Sequence, residues 1–203
     1  MLATEPHILD AIAERRSIRV FQPRAVECEK VEALLEAARL APSSINLQHF
    51  RVLVVDRPDD LEIARSAAYR MPVVVSAPLI LVCMADMDAD ADVGEHLAEV
   101  AAASPHVDIA GLRSGRGVPI SLKMGRQWGL INAAVATQNL VLQATSMGLG
   151  TCWNHHFEHE EVRAHFRIPV HLELLTLIAV GYPAETPGPR PRRASVRWVG
   201  ENG

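Results

Sequence analysis

Between Gln127 and Phe157 the chain reads "QWGLINAAVATQNLVLQATSMGLGTCWNHHF", without one Asp, Glu, Lys or Arg. A stretch of that length without charge either crosses a bilayer or is enclosed by protein. Its amides and hydroxyls decide between the two. Asn132, Thr137, Gln138, Asn139, Gln143, Thr145 and Ser146 punctuate it, and hydrocarbon offers such groups no partners. Ile131, Val135 and Leu142 recur at helical spacing while Leu140 and Val141 fill other faces. The pattern therefore predicts a helix over 127–147 covered on most sides, central to a core or to a subunit interface, and no membrane span. Gly148 and Gly150 supply its C-terminal stop.

The flanking segments alternate helices with a few strands. Thr4 can cap a helix over 5–15, with Pro6 in its first turn and Ile8, Leu9 and Ile12 on one face. A second helix over 28–40 carries Val31, Leu34, Leu35 and Ala38 and ends before Pro42. "FRVLVVD" (50–56), "APLILVCMAD" (77–86) and "LELLTLIAVGYP" (172–183) are dense in β-branched and apolar residues and read as buried strands, with a helix over 59–69 between the first two. The 203 residues, 49% hydrophobic, suffice for a single domain. A loop-rich excursion occupies about 86–126. The Pro- and Arg-rich arm at 184–203 cannot build a core of its own and is either disordered or wrapped over another surface.

Charge and cysteine usage exclude several functions. A net charge of −4 argues against nucleic acid as a partner. Cys28, Cys83 and Cys152 are odd in number and scattered, and the first ten residues lack the pattern of a signal peptide, so a reducing, cytoplasmic setting is expected. "DMDADADVGEH" fails as a calcium loop, because Val93 stands where glycine is needed in one register and Leu97 where the bidentate Glu belongs in the other. "GLRSGRGVPIS" lacks both the dinucleotide and the P-loop patterns and reads as a loop.

In "HHFEHEEVRAH", His155 and His159 could share a helix face as zinc ligands do. Arg163, however, replaces the second histidine of an HExxH site, and Glu158, Glu160 and Glu161 suit the first turn of a helix beginning there. No GxSxG elbow or CxxC pair is present, so the chain supplies no evident nucleophile. One cationic feature resists composition: in "AERRSIRVF", Arg15, Arg16 and Arg19 crowd Ser17 in an acidic chain. Guanidinium forks beside a hydroxyl suit phosphate oxygens, although a solvated surface patch has the same letters.

Four blocks carry a resemblance. "ERRSIRVF" (14–21), "APSSINLQHFRVLVVD" (41–56), "INAAVATQNLVLQATSMGLGTCW" (131–153) and "LIAVGYPAE" (177–185) resemble, in order and spacing, the signature blocks of the FMN-dependent nitroreductase family. The resemblance implies an α+β fold with a central, mostly antiparallel sheet flanked by helices. It also implies an intertwined homodimer with FMN at each interface, and NADH or NADPH as hydride donor to a small acceptor such as a nitroaromatic or a quinone. The uncharged helix and the arm would then both bury against the partner subunit.

By the same resemblance, Arg15 and Ser17 hold the phosphate and ribityl end of FMN with Arg16 beside them, and Arg19 lies near the N1/O2 edge of the ring. A fixed cation there stabilises the negative charge that reduction brings. Pro42, Ser43, Ser44 and Asn46 approach from the other subunit, with Gln48 just beyond. Trp153, Asn154, His155 and His156 flank the flavin, with backbone N–H groups around position 155 facing N5 and O4. Two of Arg190, Arg192 and Arg193 return to the phosphate.

Two departures stand out. Gln48-His49-Phe50 replaces the commoner Gln-Pro-Trp, and His155-His156 replaces small residues. The flavin, not a side chain, is expected to carry the chemistry. The alternatives are a flavin-binding protein with little turnover and a histidine metal-site hydrolase.

Overall fold

Every residue of the strand Leu79–Asp86 is buried, which places it inside a sheet with both faces covered. The computed structural model describes residues 8–89, 98–99, 102–103 and 122–192. Within them the elements run α1 (Ile8–Glu14), α2 (Cys28–Arg39), a 3₁₀ turn (Ser44–Asn46), β1 (Phe50–Val55), α3 (Pro58–Ala67), α4 (Pro72–Val75), β2 (Leu79–Asp86), α5 (Leu122–Ser146), β3 (Gly150–Asn154), α6 (His159–His165) and β4 (Leu172–Gly181). The four strands are ordered β1-β2-β4-β3, and each neighbouring pair is antiparallel. The α+β architecture with an antiparallel central sheet is the one expected.

Period-two alternation along β2 divides the core. Leu79, Leu81 and Cys83 join Leu34 and Ala38 of α2 and Ala136, Leu140 and Val141 of α5, while Ile80, Val82 and Met84 join Leu61 and Ala64 of α3 and Val162 of α6. Burial of each large aliphatic side chain contributes about 1.5–3 kcal/mol. A bulge between Cys83 and Met84 of β2 leaves Leu175 of β4 without a register partner.

Several expectations are corrected. Helix α5 begins at Leu122 and so includes Lys123 and Arg126. Over 127–147 it is covered on most sides, as expected, with Leu140 and Val141 fully buried, and leaves a narrow stripe open in which Ile131 is 51% exposed and Val135 37%. Similarly α1 buries Ala11 and leaves Leu9 and Ile12 exposed. Gly148 does end α5, at φ +74, in the left-handed position that glycine tolerates. Leu149 N–H then returns to Ala144 O and Gly148 N–H to Thr145 O. Gly150, however, opens β3 rather than closing the helix.

The Thr4 cap, Pro6, the calcium-like loop beyond Ala89, the glycine loop at 111–117 and Arg193 lie outside the described residues. Among the described residues no helix is long and apolar enough to cross a membrane.

Candidate functional site

The N-terminal arginines are set in place by β3. Ile18 N–H donates to Thr151 O at 3.0 Å, and Ser17 forms an isolated parallel bridge with Thr151. The C-terminal arm then folds back over the same segment. Phe21 bridges Pro183, Gln22 N–H donates to Tyr182 O at 2.9 Å, and Ala184 N–H donates to Val20 O at 2.9 Å. The Glu185 carboxylate accepts the backbone N–H groups of Arg19 and Val20. The described part of the arm therefore wraps its own chain. Its composition left that outcome open, and its length of contact with residues 19–22 decides it.

This return path closes a cleft of about 440 Å³ lined by Arg15, Arg16, Ser17, Arg19, Arg190 and Arg192 together with Pro187–Pro189. The Arg16 guanidinium donates to the Ala13 and Arg15 carbonyls, and that of Arg19 donates to Ser17 O. None of these five arginines pairs with a carboxylate among the described residues. Five guanidiniums around one concavity, with the Glu185 carboxylate as a near neighbour on the Arg19 backbone, suit a polyanionic group, and the residues present fit a flavin phosphate. Cys152 lies behind them. Burial pushes its thiol up, opposed by the cationic fields of Arg19 and Arg15 and by the Ser17 hydroxyl.

At the far end of β3, Asn154 is 4% exposed. Its side-chain oxygen accepts the His156 N–H at 3.2 Å, and its Nδ2 is buried without a partner among the described residues. Such an orphan donor costs free energy unless a ligand acceptor completes it. His155 and His156 are exposed. The carbonyl of the bulged Leu175 lies 3.1 Å from His155 Nδ1, so that nitrogen carries the ring hydrogen. The His156 ring packs against Tyr69 with centroids 4.7 Å apart. Because α6 starts at His159, His155 and His159 do not share a helix face. His159 stacks on Phe157 instead.

Pro42, Ser43 and Gln48 do not line the arginine cleft. They line a second cavity of about 250 Å³ with His49, Asn132 and Ala136. Ser44 and Asn46 belong to the 3₁₀ turn beside it. The expected site residues thus fall at two separate cavities of one chain. Sequence reasoning missed Glu185 and Asn132. Glu185 lay at the end of a recognised block, whereas the role of Asn132 depends on a loop 88 residues away.

The geometry defines an antiparallel α+β domain in which residues 12–19 and 187–192 line one arginine-rich cleft. Comparison with known proteins gives that class a family. The Nitroreductase family model matches residues 12–182, and the chain belongs to that family. It is 34% identical to the NADH dehydrogenase of Thermus thermophilus, with 98% of each chain covered. It is 28% identical to the FMN reductase (NADPH) of Bacillus subtilis, over 91% of this chain and 69% of that one. A protein from Exiguobacterium sibiricum, solved in complex with FMN, shares the fold with a TM-score of 0.81 at 21% identity, covering 98% and 100% of the two chains.

Proposed function

We propose that this chain is an FMN-dependent oxidoreductase that draws on NADH or NADPH and reduces a small acceptor such as a nitroaromatic or a quinone. The observation that carries the reading is the cleft in which Arg15, Arg16 and Arg19 meet Arg190 and Arg192 around Ser17. Family membership and the oxidoreductase names of the relatives support it.

Bound FMN supplies the hydride chemistry at N5. The chain's own residues bind and orient. Arg15, Arg16 and the arm arginines offset the phosphate charge, and the Ser17 hydroxyl is a donor beside them. Arg19 places a fixed cation where negative charge develops on the ring, which favours the reduced form. The Asn154 Nδ2 and the backbone N–H of His155 would be the donors offered to the other end of the ring system, while the His156 N–H is held by Asn154 Oδ1. The second half-site, Pro42, Ser43, Ser44, Asn46 and Gln48, completes the pocket from another copy of the chain. Exposed Leu9 and Ile12 on α1, Leu40 just after α2, and Ile131 and Val135 on α5 support such a homodimer. Residues 1–203 act as one domain, and three free cysteines suit the cytoplasm.

The test is the visible spectrum of the purified protein. Flavin bands that bleach with NADH or NADPH and return with a nitroaromatic or quinone are expected. A colourless protein that takes up no added FMN overturns the proposal.

A further inference from the structure

The second cavity rests on a buried polar relay that flavin binding alone does not explain. His49 is 1% exposed and Asn132, on α5, 7%. Asn132 Nδ2 lies 3.0 Å from His49 Nδ1, and Asn132 Oδ1 accepts the Ser44 backbone N–H at 3.2 Å and the Ser44 hydroxyl at 3.3 Å. Polarity then runs one way along the chain of contacts. A backbone N–H only donates, so the Asn132 atom facing it is the oxygen. The amide nitrogen therefore faces the imidazole and donates, which makes His49 Nδ1 the acceptor.

The segment held in this way is strained. Ile45, Asn46 and Gln48 sit at φ 52°, 58° and 50°, a region costly for any residue with a Cβ and most of all for a β-branched one. Local bonds close the turn: Ser43 Oγ accepts the Gln48 N–H at 2.9 Å, and Ser44 O accepts the Leu47 N–H at 3.0 Å. Asn132 anchors it to α5. A second sign that the imidazole's place is built is Gly129, within the same helix, where a Cβ would stand 3.2 Å from His49 Cδ2. Glycine weakens a helix, and here it leaves room for the ring.

We propose that His49 is a positioning residue: its Nδ1, by orienting the Asn132 amide, fixes the strained Ser43–Gln48 loop in the form that serves the cofactor and acceptor pocket. The role of that loop rests on the function proposed above, whereas the relay itself does not.

The experiment uses the full chain with ¹⁵N-labelled histidine, with and without added FMN. Two-bond ¹H–¹⁵N spectra should show His49 with Nδ1 bare and the hydrogen on Nε2. In Asn132→Asp, a carboxylate accepts on both sides, so the hydrogen should move to Nδ1. A histidine that merely fills space would not respond. His49→Phe keeps the ring under Gly129 and removes the acceptor. It should speed hydrogen exchange at the Ser44 amide and weaken FMN binding about tenfold, and His49→Gln, which can still accept, should recover most of both.

A hydrogen on Nδ1 in the wild type, or no change in Asn132→Asp, overturns the relay even if His49→Phe fails to fold. Wild-type Ser44 exchange and FMN affinity in a folded His49→Phe overturn the positioning role and leave the flavin reading intact. A wild type that shows the Nε2–H form but binds no FMN sinks the flavin reading and leaves the relay standing.

Discussion

Ile18 and Gly150 touch so closely that a single methyl group would separate the arginine knot from the sheet. A Cβ on Gly150 would lie 2.6 Å from Ile18 Cγ1 and 2.9 Å from its Cβ, while the backbone of Ile18 is bonded to the next residue of β3, Thr151. Glycine at 150 is thus required by close approach rather than by φ. Gly150→Ala should cost about 1–3 kcal/mol by overpacking. It should also lower FMN affinity, because residues 15–19 must move. Chemical denaturation with a parallel flavin titration checks both, and an unchanged affinity would mean that the knot is not registered by β3.

The clamp itself predicts asymmetric losses. Arg15→Ala and Arg19→Ala should each weaken FMN by about 1.5–3 kcal/mol, the range for hydrogen bonds to charged groups. Arg19→Ala alone should also lower the flavin reduction potential. Removal of residues 187–203 takes away Arg190 and Arg192 and opens the cleft, so it should weaken FMN at least as much as either single change. Fluorescence titration and potentiometry read the three variants. Equal affinity throughout would sink the assignment.

Assembly is tested on the surface of α5. Ile131 is half exposed, so Ile131→Glu should leave the single chain folded while placing a charge in the proposed interface. The expected outcome is a monomer by light scattering that has lost most of its FMN affinity, since in the proposed site the second half comes from another copy of the chain. A variant that stays dimeric with FMN bound would move the interface elsewhere.

The thiols give a pH dependence of known sign. Burial pushes Cys83 from an ordinary value of 9.0 up to about 12. Above pH 9 an unfolded chain loses this proton while the folded chain keeps it, so stability falls as pH rises from 9 toward 12. Cys83→Ala should flatten that decline in denaturation curves. In the native state only exposed Cys28 should react promptly with a maleimide, because Cys83 and Cys152 are buried. Rapid labelling of two sites by mass spectrometry would contradict this.

How much of this was legible in the letters depends on how local each signal is. Strands β1, β2 and β4 announce themselves through runs of Val, Ile and Leu, and α2 through its stripe of Leu34 and Ala38. Strand β3 was invisible: "GTCWN" is short, and it follows an uncharged helix with no break other than glycines that equally well read as a cap. Its strand identity comes from pairing with β4, which no local preference encodes. The residue types of the arginine knot suited a phosphate clamp and a solvated patch alike, and only the family resemblance favoured the clamp. The return of the arm arginines to that knot was expected from the resemblance alone, because the bonds joining residues 20–22 to 182–184 span about 160 positions and involve backbone atoms common to every sequence. The exposed apolar faces of α1 and α5 left core and subunit interface undecided for the complementary reason. Hydrophobic periodicity reports that a face is to be covered, not by which chain.

His155 is where a bulge and a side chain meet. The unpaired Leu175 of β4 turns its carbonyl to His155 Nδ1 at 3.1 Å, which fixes the ring hydrogen on that nitrogen and leaves Nε2 as the basic one. The ring also lies 5.6 Å from Trp153, at the end of β3 where the proposed flavin donors sit. An imidazole oriented by a carbonyl in this way is suited to carry a proton between solvent and a reduced acceptor. His155→Ala should leave FMN bound, because the backbone donors survive, and should change the pH profile of acceptor reduction measured between about pH 5.5 and 8. His156→Ala, whose ring is packed on Tyr69, should leave that profile intact. Stopped-flow measurement of the oxidative half-reaction across this range separates the two variants. An unaltered profile in His155→Ala, with FMN retained, would reduce the histidine to a wall of the pocket.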